Sequence, residues 1–111
     1  MKTIHITQDS GQHNFSSLFT ITENIVIVCT RDCPIFGGIT DHMKQIKEKL
    51  KYFNPEQDMI VMVGDPINIS LCVHEVMMKG KEVTTLKWDR QTRFYVPVKI
   101  PNTLTEKGES E

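Results

Sequence analysis

The sequence has few of the features that mark membrane, secreted or duplex-binding proteins. Its 111 residues carry a formal net charge of -1, so it lacks the broad basic surface of a domain that binds duplex nucleic acid. No apolar run approaches the ~20 residues that span a bilayer. The opening stretch, MKTIHITQDS, contains no apolar core of a signal peptide. We therefore expect no duplex nucleic acid and no membrane as partners, and an intracellular location.

Cysteine and histidine are too sparse and too poorly spaced for a disulfide framework or a metal centre. The three cysteines are Cys29, Cys33 and Cys72, an odd number without the CxxC spacing of redox and zinc motifs. None of the four histidines is paired as HxxxH. We expect no metal and no cofactor, and we interpret Cys29 and Cys72 as small core residues. Cys33 lies near a helix start that would stabilise a thiolate; we favour a buried or inert thiol there over a nucleophile.

Apolar runs and one amphipathic stretch predict alternating strands and helices. NIVIVC (24–29) and MIVMV (59–63) are uninterrupted runs, typical of strands covered on both faces. A strand, a helix and a strand of this length predict a right-handed parallel crossover. Between the two runs, apolar residues recur at steps of three and four, as on one face of a helix: Ile39, Met43, Ile46, Leu50 and Phe53.

A second helix is predicted from Asp65 onward. Asp65 is a good helix cap and Pro66 suits the first helical position. The helix is apolar nearly all round until Lys79 and Gly80, which form a typical helix end. Such a helix is expected to be buried between the sheet and another element, such as a second subunit. The sequence thus predicts a homo-oligomer.

The C-terminal part predicts a hairpin. VTTLKW (83–88) suits a third parallel strand, and RFYVPVKI (93–100) suits an antiparallel edge strand, because Pro97 cannot donate to a ladder. Residues 1–100 are therefore predicted to form a single α/β domain, a small three-layer Rossmann-like parallel sheet with two main helices and a C-terminal β-hairpin. Residues 101–111 are polar and predict a flexible tail.

A ligand site is expected at the carboxyl ends of the parallel strands, as in other open α/β sheets. Two helix amino termini would present unpaired N–H groups there. Arginines and backbone amides would bind phosphate, and a tryptophan or phenylalanine would stack on a base. The candidate ligand-binding residues on this rim are Arg31, Asp32, Phe36, Gly64, Asp65, Trp88 and Arg90.

These residues also have structural interpretations. In VGDP, Gly64 suits a tight turn and Asp65 a helix cap, so the stretch needs no ligand to explain it. Trp88 also fits a core position on a strand. Neither GxGxxG nor GxxxxGK[ST] occurs in the sequence. The rim is thus a candidate site by its position rather than by a motif.

From Asp58 onward the chain resembles small uncharacterised proteins encoded by tailed phages and prophages. The resemblance rests on DMIVMVGDPINISLCVHEVMMKGKEVTTLKWDRQTRFYVPVKI (58–100) and on NFSSL (14–18). Its specific part is the closing segment, LKWDRQTRFYVPVKI. The resemblance implies a phage-encoded protein in the cytoplasm of an infected bacterium, and it implies no activity or catalytic residue.

Three functional hypotheses follow. The first is a non-enzymatic protein that binds or sequesters a small anionic ligand, such as a nucleotide, at the rim. The second is a module that inhibits or modulates a host protein, favoured by the apolar second helix and the edge strand at Pro97. The third is a metal-dependent phosphohydrolase that uses Asp32, Asp65 and Asp89. Without a catalytic motif, we favour a binding protein over an enzyme.

Overall fold

The computed structural model describes residues 2–9, 11, 14–30 and 38–102. Within these residues, one sheet of five strands carries two α-helices and a short 3-10 helix. The strands are β1 (Ile4–Gln8), β2 (Ile25–Cys29), β3 (Met59–Val61), β4 (Glu82–Asp89) and β5 (Phe94–Pro101). The helices are η1 (Ser16–Thr20), α1 (Ile39–Lys49) and α2 (Pro66–Met77).

The strands are ordered β2-β1-β3-β4-β5. The first four are parallel, and β5 pairs antiparallel with β4 along its whole length, from Glu82↔Pro101 to Asp89↔Phe94. This confirms the predicted α/β fold with a mostly parallel sheet, two helices and a C-terminal hairpin. Pro97 lies on the edge strand, where its missing N–H does not interrupt a ladder between two neighbours.

Both α-helices cover the same face of the sheet. Side chains of β2, β3 and β4 on this face pack with those of α1 and α2 in one core. Cys29 and Cys72 are buried there, which confirms their interpretation as core residues. The other buried residues of this core are Val28, Ile46, Leu50, Phe53, Ile60, Val76 and Val83.

The opposite face is covered by η1 and the chain around it. Leu18 of η1 is fully buried against apolar residues of β1, β3 and β4. In the described ranges, the third layer of the fold is therefore one short 3-10 helix, held by Leu18 and by Phe15, which packs against the same cluster. None of the helices in the described ranges is long and apolar enough to cross a membrane.

The apolar stripe predicted for the first helix is wrong at its beginning. Ile46, Leu50 and Phe53 are buried as expected. Ile39 and Met43 are 43% and 44% exposed, although the helical spacing puts them on nearly the same side of α1 as the buried Ile46. Helical spacing alone could not distinguish these positions, because the residue that this end of α1 buries is the polar His42, which is hydrogen-bonded to Asn68 of α2.

A buried histidine lies at the amino end of β1. His5 is only 6% exposed, and its ring lies edge-on to that of Phe53, with centroids 5.0 Å apart. Its Nε2 is 3.6 Å from Oδ2 of Asp58, and neither ring nitrogen has a hydrogen-bond partner among the described residues. Asp58 accepts hydrogen bonds from the backbone N–H groups of Thr3 and Asn54. Burial lowers the pKa of His5 below 6.5, since desolvation outweighs the attraction of Asp58.

We therefore expect acid to destabilise the fold through His5. Just below pH 6.5 the unfolded chain binds this proton more readily than the folded one, so the free energy of unfolding falls as the pH falls. The slope from one such group is at most about 1.4 kcal/mol per pH unit. Urea unfolding between about pH 7.5 and about pH 5 measures it. His5→Leu should flatten the curve, whereas His74→Gln on the exposed side of α2 should not.

Candidate functional site

The topological switch point of the sheet lies between β1 and β3. These strands are neighbours, and the chain after β1 packs on one face whereas α2, after β3, packs on the other. Ligands of open α/β sheets usually bind at such a point. Here the side chain of Gln8 occupies it. Its Oε1 accepts hydrogen bonds from the Asp65 N–H (2.8 Å) and from Nδ2 of Asn68 (3.0 Å), and its Nε2 donates to the Thr30 carbonyl (3.2 Å).

The polar network continues into both helices. Asn68 of α2 is fully buried, and its Oδ1 is hydrogen-bonded to Nε2 of His42 in α1. Beside it, the hydroxyl of Thr7 donates to the Val63 carbonyl and accepts from the Val63 N–H. The chain thus fills its own switch point with paired amide, imidazole and hydroxyl groups. A ligand there would have to replace several buried hydrogen bonds.

Gly64 and Asp65 form the junction between β3 and α2. Gly64 has φ +104, and a Cβ there would lie 2.5 Å from the Cβ of Gln8. Asp65 caps α2, since its Oδ1 accepts a hydrogen bond from the Ile67 N–H at 2.8 Å, and Pro66 follows in the first turn. The structural interpretation of both residues is confirmed. Contact with a ligand stays a prediction for each of them.

An open cleft lies one strand further along the sheet. β3 ends at Val61 and pairs with β4 only through Met59↔Thr84 and Ile60↔Thr85. β4 continues beyond this point to Asp89, so a gap opens between the exit of β3 and the far half of β4. The cleft in this gap has a volume of about 860 Å³, within the usual range for small-molecule sites.

The cleft combines an apolar floor with aromatic and cationic groups. The floor comes from the exit of β3 and from Leu86, and the lining includes residues of both faces of the hairpin. Trp88 and Tyr95 pair across the hairpin as an edge-to-face aromatic pair, with centroids 5.1 Å apart. Burial raises the pKa of Tyr95, which keeps its hydroxyl protonated. The polar and aromatic residues that line the cleft are Asn14, Ser16, Ser17, Thr85, Lys87, Trp88, Arg93 and Tyr95.

The turn of the hairpin is held by Asp89. Its carboxylate accepts hydrogen bonds from the hydroxyl of Thr92 at 2.8 Å and from the Gln91 N–H at 3.1 Å. These hydrogen bonds lower the pKa of Asp89, and the bond from Thr92 has the largest effect. Arg93 has φ 60, and its N–H donates to the Asp89 carbonyl at 2.8 Å. The turn therefore fixes the backbone of Arg93 in a position from which its side chain lines the cleft.

Among the predicted site residues that the structure describes, Trp88 alone lines the cleft. It is 44% exposed, so its alternative interpretation as a core residue is wrong. Arg90 is exposed in the hairpin turn, outside the cleft lining. Arg31, Asp32 and Phe36 lie outside the described residues, as does Cys33, and their roles stay predictions. Since β1 and β3 separate β2 from β4, the strand ends that precede the two arginines are roughly 14 Å apart.

Sequence reasoning missed most of the cleft. The tryptophan lies in KWDRQTRFY, close to Lys87, Arg93 and Tyr95. A hairpin loop of four residues, 90–93, pairs Asp89 with Phe94 and therefore Trp88 with Tyr95. That signal was present in the sequence. Nothing comparable indicated Ser16 or Ser17, which reach the cleft through the path of the chain across the sheet.

Asp65 and Asp89, two of the three aspartates considered for Mg²⁺, have structural partners instead. Asp65 caps α2 and Asp89 holds the hairpin turn. Asp32 is not among the described residues. In the part of the chain that the structure describes, no three histidine, cysteine, aspartate or glutamate side chains are grouped so as to hold a metal ion.

We expect Gly64→Ala to lower the free energy of unfolding by about 2 kcal/mol or more, because a positive φ is strained for alanine and the new Cβ meets Gln8. Gly38→Ala is the matched control, since Gly38 also has a positive φ but nothing within 4 Å of the added Cβ. Urea unfolding of the two variants separates strain from contact. An equal loss of unfolding free energy in the two variants would mean that the Gln8 side chain moves away from the new Cβ at no energetic cost, and would contradict this prediction.

The comparison with known proteins places the chain in a family. The Phage Pam3 gp32-like proteins match it over residues 7–102, which include β2 to β5, both α-helices and all the cleft residues named above. None of the curated proteins and none of the solved structures matches the chain. The resemblance to phage-encoded proteins is thus confirmed at the level of the family: this chain belongs to the Phage Pam3 gp32-like proteins.

Proposed function

We propose that the protein binds and sequesters a nucleotide, or a similar small anion with a planar ring, in the cleft between β3 and β4. The observation that carries this proposal is the joint presence of the Trp88–Tyr95 pair, Lys87 and Arg93 around a cleft of about 860 Å³. As a phage-encoded protein, it would do so in the cytoplasm of the infected bacterium.

The aromatic pair supports recognition of a planar ring. Trp88 is half-exposed at the cleft, and Tyr95 supports it edge-on from the neighbouring strand. Stacking of a base on an aromatic side chain contributes about 1–3 kcal/mol and tolerates any base. The apolar floor formed by Val61, Val63 and Leu86 would exclude water from the other side of the ring.

The cations support recognition of phosphate. Lys87 and Arg93 line the same cleft, and neither forms an ion pair with a described residue. Arginine binds phosphate oxygens through two parallel hydrogen bonds, and lysine acts as a point charge. The hydroxyls of Ser16 and Ser17 add uncharged donors. These groups would hold an anion, yet they offer no carboxylate or imidazole base, which favours binding over hydrolysis.

Trp88 is the only tryptophan of the chain, so its fluorescence reports directly on the cleft. We expect nucleoside mono- and triphosphates to quench it, adenosine to quench it with lower affinity, and inorganic phosphate to compete with the nucleotides. Arg93→Asn should weaken nucleotide binding at least about tenfold, because a charge-assisted hydrogen bond contributes about 1.5–3 kcal/mol. Asparagine tolerates the positive φ of this position. Arg90→Asn in the same turn is the matched control and should bind as the wild type does.

Mass spectrometry of gently purified protein under native and denaturing conditions complements the titration, because the mass difference identifies any small molecule carried along. Two results would refute the proposal. One is Trp88 emission that no nucleotide changes, with no small molecule retained. The other is Arg93→Asn binding as tightly as the wild type.

A second candidate function is binding of a host protein by the hairpin. On the side of the sheet where α2 packs, α2 does not cover β5. Every second residue of β5 there is apolar and exposed: Phe94 (63%), Val96 (41%) and Val98 (40%). Contiguous apolar surface of this kind marks interaction sites. Pro97 and Pro101 remove two N–H donors from this edge strand, so the face of β5 suits a partner better than its edge does.

The two candidates respond to different substitutions. Val96→Lys should abolish a protein complex without weakening the quenching of Trp88 by nucleotides, because its side chain lies outside the cleft lining and a positive charge beside Lys87 does not repel an anion. Arg93→Asn should have the opposite effect. Affinity purification of both variants from host lysate, with the titrations in parallel, decides between them. A stoichiometric partner that survives Val96→Lys would contradict the hairpin as its binding surface.

A further inference from the structure

The outer side of the helix layer carries exposed apolar residues. These are Met43 on α1, Ile67 in the first turn of α2, and Met78 directly after α2. Between 44% and 59% of each residue is exposed. We call this surface the helix face. It is distinct from the proposed nucleotide cleft, which is lined by none of these residues.

A groove of about 300 Å³ runs between the two helices on the helix face. Both helices follow parallel strands and cover the same side of the sheet, so they run in the same direction. Met43 and Met78 line the groove together with Leu71. Methionine adapts its shape to whatever packs against it, which suits a surface that becomes buried.

The two rims of the groove carry opposite charges. Lys44 and Lys47 lie on the α1 rim, and Glu75 lies on the α2 rim beside His74. Among the described residues, neither lysine forms an ion pair, and nor does Glu75. The face therefore presents two positive groups on one rim and one negative group on the other, and none of the three is paired within the described part of the chain.

We propose that the helix face binds the helix face of a second copy, related by a two-fold axis parallel to the helices. This symmetry places α1 of one subunit over α2 of the other, and the rotation leaves the height of each residue along the axis unchanged. Lys44 and Lys47 then meet the partner's Glu75, and the exposed apolar residues become buried. An axis across the helices would instead place lysines over lysines, so the charges select one arrangement.

The size of the surface implies a weak dimer. Two helices of about a dozen residues cover a flat footprint of roughly 18 Å by 20 Å. This is below the ~800 Å² that each partner contributes to a standard interface. The interface therefore belongs with the small ones, and the dimer should depend on protein concentration and weaken as salt screens the charge pairs.

Sedimentation equilibrium of the full chain, from about 1 µM to about 500 µM at low and high salt, measures this association. We expect Lys47→Glu and Glu75→Lys each to weaken it at least about tenfold, because each brings like charges together across the axis. The double variant, Lys47→Glu with Glu75→Lys, restores opposite charges and should recover most of the association. Thermal unfolding at low concentration checks that each subunit remains folded, since both positions are on the surface.

Two controls test competing surfaces. Phe19→Ser removes an exposed aromatic residue on the opposite side of the sheet, and Val96→Lys disrupts the apolar row of β5. Neither should change the association. The proposal is overturned by a wild type that stays monomeric at every concentration, by charge reversals without effect, by a double variant that fails to recover, or by loss of the dimer in Val96→Lys.

Discussion

The arrangement at the carboxyl end of the sheet depends on the hydrogen bonds of one side chain, that of Gln8. It ties the end of β1 to the end of β2 through Thr30, to the cap of α2 through the Asp65 N–H, and to the first turn of α2 through Asn68. Three separate elements thus share one amide group. A buried amide that loses its partners costs about 1–3 kcal/mol, so these elements are constrained to keep one arrangement. The glycine at position 64 follows from the same constraint, because a Cβ would displace the Gln8 side chain.

The same network changes where the molecule can bind a ligand. In an open α/β sheet, the switch point between the inner strands normally remains available. Here it is filled by Gln8, Asn68 and His42. The available space lies instead between β3 and β4, because β3 is three residues long and β4 is eight. Because β4 is longer than β3, the turn end of the β4–β5 hairpin extends past the end of β3, and Trp88 and Arg93 are exposed there.

The sequence predicted elements well and their mutual placement less well. The runs 24–29 and 59–63 and the alternation from Phe94 to Ile100 depend on neighbours in the chain, and each contains or overlaps a strand. The order of the strands depends on contacts between distant residues, such as Ile4 with both Ile25 and Met59, which no local pattern encodes. The cleft shows the same division. Trp88 was identified as a rim residue, but its partners required the register of the hairpin.

A chain of this length cannot cover every surface that five strands and two helices create. Both α-helices are used on one side of the sheet, and the other side relies on Leu18 from a 3-10 helix. What remains uncovered is therefore determined by topology: the far end of β4, the α2-side face of β5 and the outer side of the helix layer. Each of these carries residues that a purely structural role does not explain, namely paired aromatics with cations, an apolar strand row, and methionines between rims of opposite charge. Val98 of the strand row also lines the cleft, and Val96 lies opposite Lys87, so a host partner on β5 would compete with the proposed ligand. The groove between the helices shares no residue with the cleft, so the proposed second copy would not compete with it.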